Sequence, residues 1–188
     1  MRIEPLSAAH HAGLAGIAMN AELWQWMPAD WGESEATFGR WMKEALAAAD
    51  AGEQYVFCVL DERSGRPIGS TRYLALRPEH RSLEIGHTWL APDLWGSGAN
   101  ADAKLLLIGY AFETLGCVRV EFKTDAKNRR SRRALEALPA RFEGIHRKHM
   151  IVRSTERRDS AYYSITDDEW PDVKQNLERR VGSALDPQ

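Results

Sequence analysis

The sequence predicts a mixed α+β fold: a central sheet of about seven strands, mostly antiparallel, with helices on both faces. Three observations carry this. Strand-like and helix-like periodicities are interleaved along the whole chain. Three consecutive strand segments are separated only by short turns, which forces antiparallel pairing. A single long helical segment then separates the third of these from the next strand, and such a crossover gives one parallel pair.

Arg2 to Leu6 is the opening strand, and Ser7 is placed to cap a short helix through Met19. Residues 20–35 read as an aromatic loop holding Trp24, Trp26 and Trp31, with Ser34 as the next N-cap. In the helix that follows, Phe38, Trp41, Met42, Ala45, Leu46 and Ala49 form one apolar stripe, and Gly52 ends it. Tyr55 to Leu60 is apolar on both faces and belongs in the sheet interior. The turns at 61–65 and 77–80 connect it to strands Pro67–Leu76 and Arg81–Leu90. Ala101 to Leu115 is a broadly buried helix with Gly116 as its C-cap. Cys117 to Thr124 alternates Val118, Val120 and Phe122 against Arg119, Glu121 and Lys123. A charged helix, Arg129 to Leu138, precedes two closing strands, Ala140–Val152 and Ala161–Thr166. A last helix runs from Asp167 to about Arg180. Residues 1–181 are expected to form one domain and 182–188 a frayed tail.

Composition excludes several classes. The chain of 188 residues is 44% hydrophobic and 28% charged. At that size it buries roughly 70% of its unfolded surface, so no disulfide or metal is needed to hold it together. A net charge of −2, from 25 Lys+Arg against 27 Asp+Glu, speaks against direct nucleic-acid binding. No run approaches a membrane span, and the first residues lack the apolar core of a signal peptide. Cys58 and Cys117 both fall in apolar strands, where thiols are packing residues, so a reducing cytoplasm and no metal are expected.

The segment that carries chemistry is Trp95-Gly96-Ser97-Gly98-Ala99-Asn100-Ala101, between a strand end and a buried helix. The glycines let successive backbone N–H groups be exposed, and with the helix dipole these favour a phosphate. The same glycines also serve a tight strand-to-helix turn by geometry alone.

The chain resembles the GCN5-related N-acetyltransferase (GNAT) superfamily, and within it the RimJ/RimL-like branch of ribosomal-protein alanine N-acetyltransferases. The resemblance runs from the opening strand to Trp170. It is strongest in Leu83–Leu90, Trp95–Ala103, Asn128-Arg129-Arg130-Ser131 and Tyr162-Tyr163-Ser164-Ile165. It implies the GNAT fold, acetyl-CoA as acyl donor and an amine as acceptor, either a small molecule or a protein N-terminus, with direct attack in a ternary complex. The family's pyrophosphate loop follows Arg/Gln-x-x-Gly-x-Gly/Ala. Trp95, Gly98 and Asn100 stand at those positions, so the central glycine matches, and the Trp-Gly-x-Gly of the branch is intact. Gly96, Ser97, Gly98, Ala99, Asn100 and Ala101 are the implied cradle. Asn128 and Ser131 resemble cofactor-contacting positions, with Ser131 or Tyr163 as proton source for the departing thiolate. Each has a plainer role available: loop or helix capping for Asn128 and Ser131, core packing for Tyr163. The resemblance also sets Trp24, Trp26 and Trp31 over the acceptor site, although such a loop can equally pack its aromatics on the core.

Amine acylation requires a base, donors to the oxyanion and a proton for the leaving thiolate. The amide-rich pantetheine arm can pair like a strand where the strands ending at Leu90 and Thr124 splay apart. A backbone N–H near Trp89 or Leu90 would then polarise the carbonyl. Glu84 is the candidate base and would also touch the acceptor. Its strand face is shared with Gly86 and Thr88, opposite Leu83, Ile85 and Trp89, and its alternative is a surface ion pair with an Arg. His87 is expected in the core. The basic run Lys127, Arg129, Arg130, Arg132 and Arg133 either meets the 3′-phosphate of CoA or is a solvated helix face. A homodimer through the C-terminal strands is compatible with the pattern. Two other functions compete: a non-catalytic acyl-CoA-binding module, and a dinucleotide-binding enzyme, since Gly96 to Ala101 fits G-x-G-x-x-G/A.

Overall fold

The computed structural model describes residues 1–185, with side chains to residue 182. Seven strands form one sheet: β1 Arg2–Pro5, β2 Tyr55–Leu60, β3 Pro67–Arg77, β4 Ser82–Leu90, β5 Arg119–Asp125, β6 Arg141–Val152 and β7 Glu156–Thr166. Their order across the sheet is β1-β2-β3-β4-β5-β7-β6. Every neighbouring pair is antiparallel except β4 and β5. The helices are α1 His11–Ala18, α2 Glu35–Asp50, α3 Ala99–Gly109, α4 Arg129–Glu136 and α5 Trp170–Leu185. The fold class is the predicted one. The strands before the glycine turn form an antiparallel meander, not the βαβ units of a dinucleotide-binding fold, and this removes the dinucleotide alternative.

Local chemistry explains most boundaries. Ser34 Oγ accepts the Thr37 N–H at 3.1 Å and starts α2. Gly52 and Gly116 sit at φ of 71° and 65°, the left-handed conformation that ends a helix cheaply only with glycine. Several boundaries differ from the sequence prediction: β5 starts at Arg119 and not Cys117, α4 ends at Glu136 and not Leu138, and α5 starts at Trp170 and not Asp167. α3 starts at Ala99, two residues early, and its last turn, Tyr110–Thr114, is a π-helix. β7 starts at Glu156 because the polar run Glu156-Arg157-Arg158-Asp159-Ser160 pairs with β6 and does not form a turn. α5 continues to Leu185, past the expected end near Arg180; residues 186–188 of the expected tail lie outside the described residues.

The sheet is covered on both faces. On one, Leu83, Ile85, Val120, Phe122, Tyr163 and Ile165 pack against Leu107 and Ile108 of α3 and Val173 and Leu177 of α5. On the other, Val56, Cys58, Leu60 and Trp89 pack under Leu14, Phe38, Trp41 and Met42 of α1 and α2. Trp24 is the centre of this second cluster. It is fully buried, its Nε1 donates to the Ala18 carbonyl at 2.7 Å, and its ring meets Trp31 and Trp89 at 5.4 Å each. Gly32 makes this arrangement possible. A Cβ there would collide with Ala18 O and Trp24 Nε1. Gly32→Ala is therefore expected to cost about 1–3 kcal/mol in denaturant unfolding through forced repacking. Gly16→Ala, in α1 and facing open space, is expected to gain about 0.4–1 kcal/mol.

Candidate active site

The site begins with a backbone constraint. β4 and β5 pair only at Ser82↔Arg119, Leu83↔Val120 and Glu84↔Glu121, then separate. On its other side β4 carries a bulge. Ser70 faces Trp89 and Arg72 faces Gly86, so Thr71 alone stands opposite both His87 and Thr88. His87 takes the strain at φ 51°. The bulge reverses the side-chain alternation beyond it. Leu83 and Ile85 stay with α3 and α5, but Trp89 turns to the α1–α2 face, which corrects the expectation that the three share one face.

A cavity of about 500 Å³ fills the gap between the parted strands. Gly96, Gly98, Asn100 and Ala101 line it from the glycine turn and the start of α3, and Asn128, Arg130 and Ser131 line it from α4. Thr88, Lys104 and Phe122 line its walls. Leu23, Trp26, Met27 and Pro28 of the aromatic loop close it together with Glu84, Lys123, Met150 and Arg158. Gly96 and Gly98 adopt φ of 81° and 90°, so both need glycine, and a Cβ at Gly96 would meet nothing within 4 Å. The N-terminus of α3 thus opens onto free space, flanked by Arg130, whose guanidinium lies 3.6 Å from the centre of the Trp95 ring. The Trp95 Nε1 donates to the Leu90 carbonyl at 3.0 Å and satisfies part of the exposed β4 edge. A phosphate-bearing chain fits this arrangement: open N–H donors at one end, a cation beside them and an unpaired strand edge beyond.

The interior charges are few and buried. Glu84 is 4% exposed; burial raises its pKa, against the lowering pull of Lys123, whose Nζ lies 3.3 Å from Oε2. His87 is pushed down to about 3 by burial, then by Arg72 and Arg158, and is neutral. Lys104 comes from α3, donates to Thr88 Oγ1 at 2.9 Å and lies 5.8 Å from the Phe122 ring centre; burial lowers its pKa to about 7. Thr88 is tied in turn to Thr71 at 2.8 Å. Among the described residues no group of three or more His, Cys, Asp or Glu is arranged to hold a metal.

Of the residues singled out from sequence, Trp26, Glu84, Trp89, Leu90, Gly96, Gly98, Asn100, Ala101, Asn128 and Ser131 line this one cavity. Ser97 and Ala99 do not: Ser97 Oγ bonds the Leu94 carbonyl at 2.7 Å, and Ala99 packs beneath the sheet. Trp24 and Trp31 are packing residues, not cavity walls. Tyr163 is removed as proton source because it lies fully buried on the α3 face, its hydroxyl accepting from Arg132 at 2.9 Å and donating to Glu136. The Asn128 side chain accepts the Ser131 N–H at 3.0 Å, so both capping and cavity lining hold for it. His87, expected in the core, and Thr88 also line the cavity, and Lys104 and Arg158 join them without having been singled out from sequence. The signal for Lys104 was present: a lysine directly before the apolar run Leu105-Leu106-Leu107-Ile108 of α3, about one and a half turns past the glycines.

The model of the acetyltransferase (GNAT) domain matches residues 1–141. The chain belongs to the GNAT acetyltransferase family. A structure of a GCN5-related N-acetyltransferase from Brucella melitensis superposes on this GNAT chain with a TM-score of 0.87 at 31% identity, covering 95% of this chain and 80% of that one. Mycobacterium smegmatis RimJ in complex with CoA-disulfide has the same fold, with a TM-score of 0.79 at 23% identity over 97% of this chain and 88% of that one. The uncharacterized N-acetyltransferase p20 of Bacillus licheniformis is 29% identical over 98 residues, which is 52% of this chain and 54% of that protein. The chain thus spans about half the length of the curated relatives it matches.

The buried lysine makes a measurable prediction. Its pKa falls from 10.5 in the unfolded chain to about 7 in the fold, so the unfolded state holds the extra proton between those values. The cost of burying Lys104 is complete below pH 7, declines as pH rises toward 10.5 and vanishes above it. Lys104→Met should raise stability near pH 7, and the difference from the parent should shrink between pH 7 and 10.5. Denaturant unfolding of both proteins across that range checks this; a constant difference would exclude the lysine from the titration.

Proposed function

We propose that the protein is an acetyl-CoA-dependent N-acetyltransferase that acetylates a primary amine by direct attack, with residues 1–181 forming one domain. The observation that carries the reading is the continuity of a single cavity. It leads from the glycine turn, through the parted strands, to a buried carboxylate under an aromatic loop. Acetyl-CoA supplies an activated acyl group. The N–H groups at the start of α3, with Arg130 beside them, would hold its phosphates; Asn128 and Ser131 would contact it from α4, and the free edge of β4 near Trp89 and Leu90 would align its amide-rich arm. Trp26 would form the acceptor wall.

Glu84 is the proposed base. Its raised pKa brings its proton affinity closer to that of an amine than an exposed carboxylate would, and Lys123 at 3.3 Å pulls in the opposite direction and favours the carboxylate form. Ser131 and, from α3, the Lys104 ammonium are cavity-lining groups able to give a proton to the leaving thiolate. The RimJ/RimL-like branch, with a protein N-terminus as one possible acceptor, is the finer form of this proposal. It is supported by the Trp95-Gly96-Ser97-Gly98 turn and the fold shared with RimJ. A cytoplasmic setting is consistent with two free, buried cysteines. Among the described residues no helix is long and apolar enough to cross a membrane.

Calorimetry should show acetyl-CoA binding clearly more tightly than NADH or ATP; equal or tighter NADH binding would overturn the assignment. A free-thiol assay against an amine panel at pH 7 to 9 should detect turnover, and binding without turnover across the panel would favour an acyl-CoA-binding module. Glu84→Gln should lower kcat/KM most near neutral pH, with the loss shrinking at high pH where the acceptor amine is already neutral. A loss independent of pH would remove Glu84 from that role.

A further inference from the structure

Arg158 makes no hydrogen bond from any guanidinium nitrogen among the described residues, although it is 8% exposed and lines the acceptor side of the cavity. A guanidinium carries five donors and stays charged, so burying it with one loose ion pair and no hydrogen bond is costly. Its nearest carboxylate, Asp125 Oδ2, is 3.9 Å from Nε, outside hydrogen-bond reach, and Asp125 Oδ1 already accepts the Lys127 N–H at 2.8 Å. The fold pays this cost by design of position: β7 pairs with β6 through Met150↔Arg158, which puts Arg158 on the sheet face shared with Lys123 and Glu84, under the aromatic loop.

A second observation points the same way. The hairpin that walls this side, residues 141–166, is net basic: Arg141, Arg147, Lys148, Arg153, Arg157 and Arg158 stand against Glu143, Glu156 and Asp159. It is held over the cavity by Arg153, whose N–H donates to the Pro28 carbonyl at 2.9 Å and whose guanidinium reaches the Trp24 carbonyl. A polycation approaching here meets like charge, whereas an anion is drawn in.

We propose that the acceptor carries a carboxylate, which Arg158 binds in a charge-assisted pair while the amine of the same molecule lies toward Glu84. The inference rests on the reading of this side of the cavity as the acceptor site. The recognised chemistry is an amine and a carboxylate on one molecule. A free amino acid supplies it, and so does a peptide whose N-terminal residue is acidic. The planar fork of the guanidinium suits the two oxygens of a carboxylate, and a carboxamide of equal shape would leave the charge unpaired.

The test compares matched acceptors: 4-aminobutanoate with 4-aminobutanamide, and Asp-Ala amide with Asn-Ala amide, with spermine as the polycation. Binding in the presence of CoA is read by tryptophan fluorescence, and kcat/KM with acetyl-CoA is measured in parallel. At least one carboxylate member should exceed its carboxamide by about ten-fold, and spermine should be weakest. The pair that shows the preference identifies the source, small molecule or peptide. In Arg158→Gln the ratio should fall to about one, while Arg158→Lys should retain part of it; a melting curve verifies that each variant is folded. Equal binding of the members of both pairs by the parent protein would overturn the proposal, even if Arg158→Gln fails to fold. So would a preference that survives in folded Arg158→Gln. The two readings fail separately: turnover without carboxylate preference ends this inference alone, and Arg158-dependent carboxylate binding without acetyl transfer ends the acetyltransferase reading alone.

Discussion

The backbone edges of β4 and β5 part after Glu84, inside a sheet whose other neighbours are paired along most of their length. Backbone N–H and C=O groups left inside a protein need partners, so a gap of this kind persists only if something else answers them. Trp95 answers one carbonyl, that of Leu90, and Lys104 reaches in from α3 to the Thr88 hydroxyl. The remainder is left open to whatever enters the cavity. The glycine turn at one mouth, the carboxylate at the other and the helix that crosses between the two strands all take their positions from this one interruption.

The bulge in β4 is the second device, and it works with the first. By setting Thr71 against both His87 and Thr88, it moves Trp89 to the α1–α2 face while Leu83 and Ile85 remain with α3 and α5. The same strand thereby serves two cores. Trp89 anchors the aromatic cluster of Trp24, Phe38 and Trp41 that carries the loop over the cavity. The β6–β7 hairpin is tied to that loop through Arg153, so the acceptor side is walled by two segments far apart in sequence that hold each other.

Several parts of this were legible in the chain because their causes are local. The stripe from Phe38 to Ala49, the Ser34 cap and the positive-φ glycines 52, 96, 98 and 116 follow from side-chain periodicity and backbone sterics. Glu84 stood out as a carboxylate within an apolar strand, and the cavity includes it. Where the reading went astray, the cause was non-local. Trp24 and Trp26 are two residues apart and chemically identical, yet one is the core of a cluster and the other a cavity wall. Tyr163, in the segment read as a candidate acid, points to the opposite face and spends its hydroxyl on Arg132 and Glu136. Arg158 fell between the two closing strands expected from sequence, and its burial depends on pairing with β6 and on the loop above it.

The sequence by itself determined the fold class, the antiparallel meander, the one crossover, the glycine turn before α3 and a carboxylate within β4, because periodicity, turn length and the conformational range of glycine act over a few residues. Only the tertiary structure decided which face each side chain beyond His87 occupies, that Lys104 and Arg158 are buried, and that the aromatic loop and the β6–β7 hairpin enclose one cavity. Those outcomes depend on a bulge in one strand pair, a gap in the next and contacts between segments more than a hundred residues apart, such as Arg153 with Trp24. No local pattern encodes which of two adjacent tryptophans or arginines such contacts will bury.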